Sequence, residues 1–154
     1  MHIKKEKKYM SKLMLKERDF HSTVGDIVKG IAVGKVDFSL CINGANIQRG
    51  QVWKKDKYRS ELIKTILEEG FIPPVVLVTM KKGTYSTVDG QQRLRTIKAF
   101  TDNEFKLKLD RKVEIPGFKE VNLDGKYFKD LPKNIQKIFL DCSIKMCEIP
   151  YKDD

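Results

Sequence analysis

Two adjacent prolines, Pro73 and Pro74, lead straight into Val75-Val76-Leu77-Val78, and no other stretch restricts the backbone of this chain as tightly. A residue ahead of a proline is pushed out of the helical region, so the pair forces an extended approach into a β-branched run. That run reads as a buried strand. The turn letters Lys81-Lys82-Gly83 follow it, and Tyr85 to Val88 return as its partner. Asp89-Gly90 ends the second strand, after which Leu94, Ile97 and Phe100 recur at the spacing of one helical face. The centre of the chain is therefore a hairpin that feeds a helix.

The flanking segments read in the same way. Upstream, Thr23 caps a short helix over Val24, Ile27, Val28 and Ile31, with Gly30 or Gly34 ending it. Val36 to Ile42 reads as a strand, Asn43-Gly44 as a turn, and Asn46 to Trp53 as an irregular loop. From Asp56 to Glu69 the positions Tyr58, Leu62, Ile63, Ile66 and Leu67 form one apolar helical face, stopped by Gly70. Downstream, Phe105, Leu107 and Leu109 alternate with charged residues, as in a half-exposed strand. Leu123 to Tyr127 suggests a hairpin turn. Pro132 opens a helix at its first position, with Ile135, Ile138 and Phe139 as its apolar face, and Ile144 to Ile149 closes the domain as a strand. Short strands mixed with helices, several without a parallel crossover, predict an α+β domain: a small mixed sheet with packed helices.

Composition narrows the partners more than the fold. The 154 residues suit one globular domain, here 21–154, behind a basic N-terminal segment, 1–20. Thirty-one Lys and Arg against 21 Asp and Glu leave a net charge of +10, which favours nucleic acid, nucleotides or an acidic surface. Residues 1–18 carry seven basic residues against Glu6 and Glu17, a net of +5. Met10, Leu13, Met14 and Leu15 are interrupted by Lys12 and Lys16, so that start is not a secretory signal. No apolar run approaches a membrane span, and no membrane partner is expected. Cys41, Cys142 and Cys147 lack metal-ligand spacing and lie far in sequence from His2 and His21, so no metal site and a reducing cytoplasm are expected.

The strongest chemical signal is the segment Asp89-Gly90-Gln91-Gln92-Arg93, where a strand ends and a helix begins. Gly90 permits a close backbone approach, and the unpaired first-turn N–H groups with the helix dipole favour an anion. Arg93 adds a planar fork of donors, Gln91 and Gln92 add amides, and Asp89 can cap the helix or hold a cation. On composition and spacing alone, a capped helix with a solvated arginine accounts for the same letters.

The company this segment keeps is more specific. Asn46-Ile47-Gln48-Arg49-Gly50-Gln51-Val52-Trp53, then Gly70-Phe71-Ile72-Pro73-Pro74, then Thr87-Val88-Asp89-Gly90-Gln91-Gln92-Arg93-Leu94-Arg95-Thr96-Ile97, in that order, resemble the DGQQR-motif family. This is the N-terminal domain of GmrSD-type modification-dependent restriction enzymes. Leu123 to Ile149, including Gly125-Lys126-Tyr127-Phe128-Lys129-Asp130-Leu131-Pro132, is similar to the family's continuation, so the resemblance spans roughly Val24 to Pro150.

The resemblance implies a ParB/sulfiredoxin-like fold whose loop before the second central helix binds or hydrolyses a nucleoside triphosphate, with Mg2+, to regulate DNA cleavage in phage defence. It assigns Gln48, Arg49, Gly90 and Arg93 to nucleotide binding, and Asp89, Gln91, Gln92 and Arg93 to catalysis. Arg49 and Arg93 would clamp phosphate, and Gln91 or Gln92 would position a water. Its partners would be a nucleotide, DNA, and a nuclease domain or subunit. The family domain commonly continues into helices with an RLN-type motif, which the sequence up to Asp154 does not contain, so binding is expected ahead of turnover. With only His2 and His21, no HNH nuclease constellation can be assembled. The alternative function is a non-enzymatic DNA-binding or adaptor domain on the same scaffold.

Other residues carry less. Trp53 reads as a core anchor or a base-stacking surface. Lys54, Lys55, Lys57, Arg59 and Lys64 form either a nucleic-acid track or a charged, non-binding surface. Arg95 reads as solvated or DNA-facing, and Glu61, Glu68 and Glu69 as a solvated helix face.

Overall fold

In the computed structural model, residues 17–37, 40–42, 45–47, 56–80 and 84–150 are described. In chain order they form β1 (Arg18–Thr23), α1 (Val24–Ala32), β2 (Val36–Asp37), β3 (Leu40–Ile42) and β4 (Ala45–Ile47). Next come α2 (Asp56–Leu67), β5 (Val75–Thr79), β6 (Tyr85–Asp89) and α3 (Gln91–Thr101). A 3-10 turn (Phe128–Asp130), α4 (Lys133–Asp141) and β7 (Ser143–Pro150) complete the fold. Most of the basic segment, the Asn43-Gly44 and Lys81-Lys82-Gly83 turns, and the loop holding Gln48, Arg49, Lys54, Lys55 and Trp53 lie outside the described residues.

Five strands make one mixed sheet in the order β1-β7-β5-β6-β2, and β3 and β4 form a separate antiparallel pair. The β5–β6 hairpin is antiparallel, as the sequence implies, and β5 also runs parallel to β7. Val75 lies opposite Met146 and Leu77 opposite Thr87, so one face of the sheet is a continuous buried surface. Against it pack Val24 and Ile27 of α1, Ile63 and Ile66 of α2, Leu94 and Ile97 of α3, and Ile135 and Phe139 of α4. The architecture is α+β. Among the described residues, no helix is long and apolar enough to cross a membrane.

Several elements differ from the sequence reading for identifiable reasons. β1 begins at Arg18, inside the segment read as a basic lead, because Arg18 to Thr23 pair residue by residue with Glu148 to Ser143. Asn46 and Ile47, read as loop, lie in β4 opposite Cys41 and Leu40. Tyr58 sits on the apolar spacing of α2 yet is 56% exposed, since it belongs to the first turn, beyond the buried face that runs from Leu62 to Leu67. Glu69, not Gly70, takes the left-handed position after α2, with φ 55°, and Gly70 N–H closes the turn on the Thr65 carbonyl at 2.9 Å.

The alternation of Phe105, Leu107 and Leu109 is present as buried side chains, but no strand ladder forms there. Side chains do part of the ladder's work. The buried Ser60 hydroxyl accepts from Lys108 N–H at 2.8 Å, and the Asp124 carboxylate accepts from Leu109 N–H at 2.8 Å. Leu107 N–H also donates to the Lys126 carbonyl at 2.9 Å, next to the turn in which Gly125 holds φ 78°. Pro132 stands one place earlier than read: it is the N-cap of α4, with extended ψ 144°, and not its first helical residue. Glu68 is not a solvated side chain either. Its carboxylate accepts from Glu114 N–H at 2.9 Å and meets Lys64 Nζ at 3.0 Å. Burial pushes its pKa up, and these partners more than offset that, leaving it below the usual carboxylate value.

Candidate functional site

β6 delivers its last residue, Asp89, opposite Val76, while the next pair is Leu77 with Thr87; the ladder skips Val88. Such an irregularity bends the strand and re-aims the residues beyond it. Gly90 comes next, at φ 102° and ψ 12°, and is the N-cap of α3 with no side-chain capping bond. Asp89 therefore does not cap the helix, contrary to one of its sequence readings: it is the end of a strand, and its side chain is 69% exposed.

The glycine is required twice over. Its φ lies in the region L side chains avoid, and a Cβ there would come 3.0 Å from Val75 Cγ2, 3.3 Å from Val75 Cα and 3.1 Å from Arg93 Nη2. The turn is thus packed directly against the start of β5 and against the arginine of its own helix. Leu94 N–H is the donor that closes the first helical turn, on the Gly90 carbonyl at 3.0 Å. The N–H groups of Gln91, Gln92 and Arg93 precede that bond and lie at the positive end of the helix dipole.

Arg93 does not reach into bulk solvent. Its side chain is 16% exposed, Nη2 donates to the Pro74 carbonyl at 3.1 Å, and the same nitrogen stands 3.9 Å from Asp89 Oδ2. Burial draws its pKa down and Asp89 pulls it back up, with burial the larger effect. A guanidinium stays charged through such a change. Arg93 Nε is buried without a hydrogen-bond partner among the described residues, as are Gln92 Nε2 and Thr87 Oγ1. Three buried polar atoms without partners around one strand-to-helix turn are uncommon in a well-packed domain.

The two glutamines differ. Gln91 Nε2 is folded back onto the carbonyls of Thr87 at 3.1 Å and Val88 at 3.3 Å, tying the helix start to the strand end. Gln92 Nε2 keeps its donor capacity. The structure therefore brings together Asp89, Gly90, Gln91, Gln92 and Arg93 at one strand-to-helix turn, while Gln48 and Arg49 lie outside the described residues. Sequence reasoning missed two participants. The Pro74 carbonyl was hidden because a backbone acceptor has no letter of its own. Thr87 was hidden because a threonine in a β-branched run looks like ordinary strand.

The basic cluster around α2 divides as well. The Arg59 guanidinium carbon lies 4.1 Å from the centre of the Phe105 ring, and Lys64 is engaged with Glu68, so neither is a free phosphate ligand; Lys57 is exposed. Arg95 is partly buried and not fully solvated. Among the described residues no group of three or more His, Cys, Asp or Glu is arranged to hold a metal ion.

Comparison with curated proteins and with solved structures returned no match. Residues 24–153 match the family model described as the GmrSD restriction endonuclease, N-terminal domain. That match takes in every described element from α1 to β7, including the strand-to-helix turn at Gly90. The chain belongs to the family of GmrSD restriction endonuclease N-terminal domains.

Proposed function

We propose that this domain is a ParB-like nucleotide-binding module, which takes the triphosphate of a nucleoside triphosphate at the N-terminus of α3 and serves a nuclease domain or subunit of a restriction system. The observation that carries the reading is the start of α3: a helix end without a side-chain cap, opened by a buried glycine, with a mostly buried arginine that keeps an unused donor. Backbone N–H groups, helix dipole and guanidinium together match the charge and geometry of phosphate. The Arg93 fork is braced by the Pro74 carbonyl, which orders it beside the helix start ahead of any ligand. Gln92 supplies an amide donor beside them, and Gln48 and Arg49 belong to the same site in this reading.

The residues present also fit a magnesium ion carried in by the nucleotide. Magnesium keeps several waters and takes one or two carboxylates in addition to phosphate, and Asp89 offers an exposed carboxylate at the strand end. When bound, the ion would neutralise phosphate charge. In hydrolysis Gln92, and not the tethered Gln91, is the amide with a donor left to orient a water.

Calorimetric titration with nucleoside triphosphates and Mg2+, combined with phosphate release, tests the proposal on wild type and Arg93→Ala. Binding by the wild type that falls at least tenfold in Arg93→Ala supports it. Equal, negligible heats in both proteins contradict it. The net charge of +10 favours a second reading, a DNA-binding adaptor. DNA retention that weakens with salt and ignores nucleotide would point to that reading instead.

A further inference from the structure

Among the described residues, Phe71 is the most exposed large apolar side chain, at 85%. The turn that carries it is held on both sides. Before the ring, Glu69 takes a left-handed backbone, φ 55°, and Gly70 N–H closes on the Thr65 carbonyl at 2.9 Å. A Cβ on Gly70 would stand 2.9 Å from Thr65 Cγ2, so this turn lies directly against α2. After the ring, Pro73 and Pro74 stiffen the path into β5. The backbone that presents Phe71 is therefore fixed in advance, and an anchor held in this way loses little freedom when a partner covers it.

Beside the ring lies a cleft of about 480 Å³ with an apolar floor, in which Ile66 and Ile144 are buried and Ile72 is partly so. Its rim carries opposite charges on different walls. Glu69 follows α2 and Asp141 ends α4; after burial, these two carboxylates raise the Cys142 thiol pKa to about 11, so they act on one side of the cleft. Lys145 stands on the sheet, with His21 directly opposed to it across the β1–β7 ladder. All four side chains are exposed, and among the described residues no ion pair joins Glu69 or Asp141 to His21 or Lys145. One face of the molecule thus offers an acidic wall, a basic wall, an apolar floor and an exposed ring.

We infer that this face joins two copies of the chain about a two-fold axis, with Phe71 of each copy seated in the cleft of the other and the Glu69–Asp141 wall of one against the His21–Lys145 wall of the other. A two-fold contact must be complementary to itself, and a rim that carries both signs of charge, unneutralised within one chain, meets that condition. An aromatic side chain filling an apolar pocket is the usual centre of such a contact. The patch is smaller than the roughly 20 to 30 residues a side of a standard interface, so association should be weak and reversible, with Kd on the order of 10 to 100 μM. It requires no nucleotide and is independent of the phosphate reading.

Sedimentation equilibrium of the full chain without nucleotide, from about 5 to 500 μM, tests the assignment. Wild type should pass from monomer to dimer over this range, and Phe71→Ala should weaken that step at least tenfold. Lys145→Glu should abolish it, as should Glu69→Lys combined with Asp141→Lys. An equimolar mixture of those two charge variants should form a heterodimer, because opposite charges then face each other in both halves of the contact. The altered positions are exposed, so the variants keep the fold, and an unchanged circular dichroism spectrum checks this. Monomeric wild type at every concentration overturns the assignment and leaves the cleft to a partner of another kind. A dimer that Phe71→Ala and the charge reversals leave intact also overturns it, since the contact then lies elsewhere on the molecule. Charge variants that lose the dimer and do not recover it when mixed overturn the two-fold pairing of the walls.

Discussion

Gly90 is demanded by the backbone on two independent grounds. Its positive φ and the 3.0 Å approach to Val75 mean that Gly90→Ala should lower stability by about 2 to 4 kcal/mol, through backbone strain and overpacking, as read by chemical denaturation. A loss below about 0.5 kcal/mol would show that the turn tolerates a side chain and is not tightly packed. Glu148 gives a prediction with a pH sign. Its carboxylate accepts from Thr79 at 2.6 Å and from Arg18 at 2.6 and 3.0 Å, joining β7 to both its neighbours. The Thr79 hydroxyl and Arg18 hold its pKa below the usual value of 4.5, although burial opposes them. A depressed carboxyl contributes stability above its unfolded pKa, and the contribution disappears as pH falls through the folded one. Glu148→Gln should therefore cost about 1 kcal/mol at pH 7, with the gap to wild type closing as pH falls below 4.5. A gap that widens on acidification would refute this linkage.

At the level of elements, the one described helix start with a local side-chain cap was legible and tertiary anchors were not. Thr23 was readable as a cap because serine and threonine before an apolar run carry a local mechanism, and its Oγ1 does accept from Asp26 N–H at 3.1 Å. Thr23→Ala should cost about 1 kcal/mol of stability by the same denaturation measurement. The hairpin β5–β6 was likewise written locally, in Pro73-Pro74 and the β-branched run. The segment 105–109 was not, since its partners Ser60 and Asp124 are distant in sequence and act through side chains. Ser60→Ala removes the buried hydroxyl that accepts from Lys108 N–H, and should cost about 1 kcal/mol. If it proves neutral, the segment is not held as described. β1 went unread because charged and polar letters in Arg18 to Thr23 hide a strand whose identity comes from β7.

For the whole molecule, the core centres on an aromatic group in which Phe100 meets Phe105, Phe128 and Phe139 with ring centres 5.5, 5.8 and 5.6 Å apart. These rings come from α3, the following segment, the 3-10 turn and α4, so the core fixes the helix that carries the site against the C-terminal half. Phe100→Ala should cost about 3 to 5 kcal/mol and should weaken triphosphate binding through loss of the fold. The candidate site was legible as letters, since Asp89 to Arg93 stood out for their types and order. Its geometry was not: which glutamine is tethered, that Asp89 leaves the cap to glycine, and that Arg93 leans on a proline carbonyl all depend on packing between β5 and α3. A structure determined with a non-hydrolysable nucleoside triphosphate and Mg2+ is the decisive test of phosphate binding at the start of α3. Phosphate oxygens should then lie within hydrogen-bond distance of the Gln91, Gln92 or Arg93 N–H groups and of the Arg93 guanidinium. Phosphates bound elsewhere, with the start of α3 contacting only protein and solvent, would contradict it.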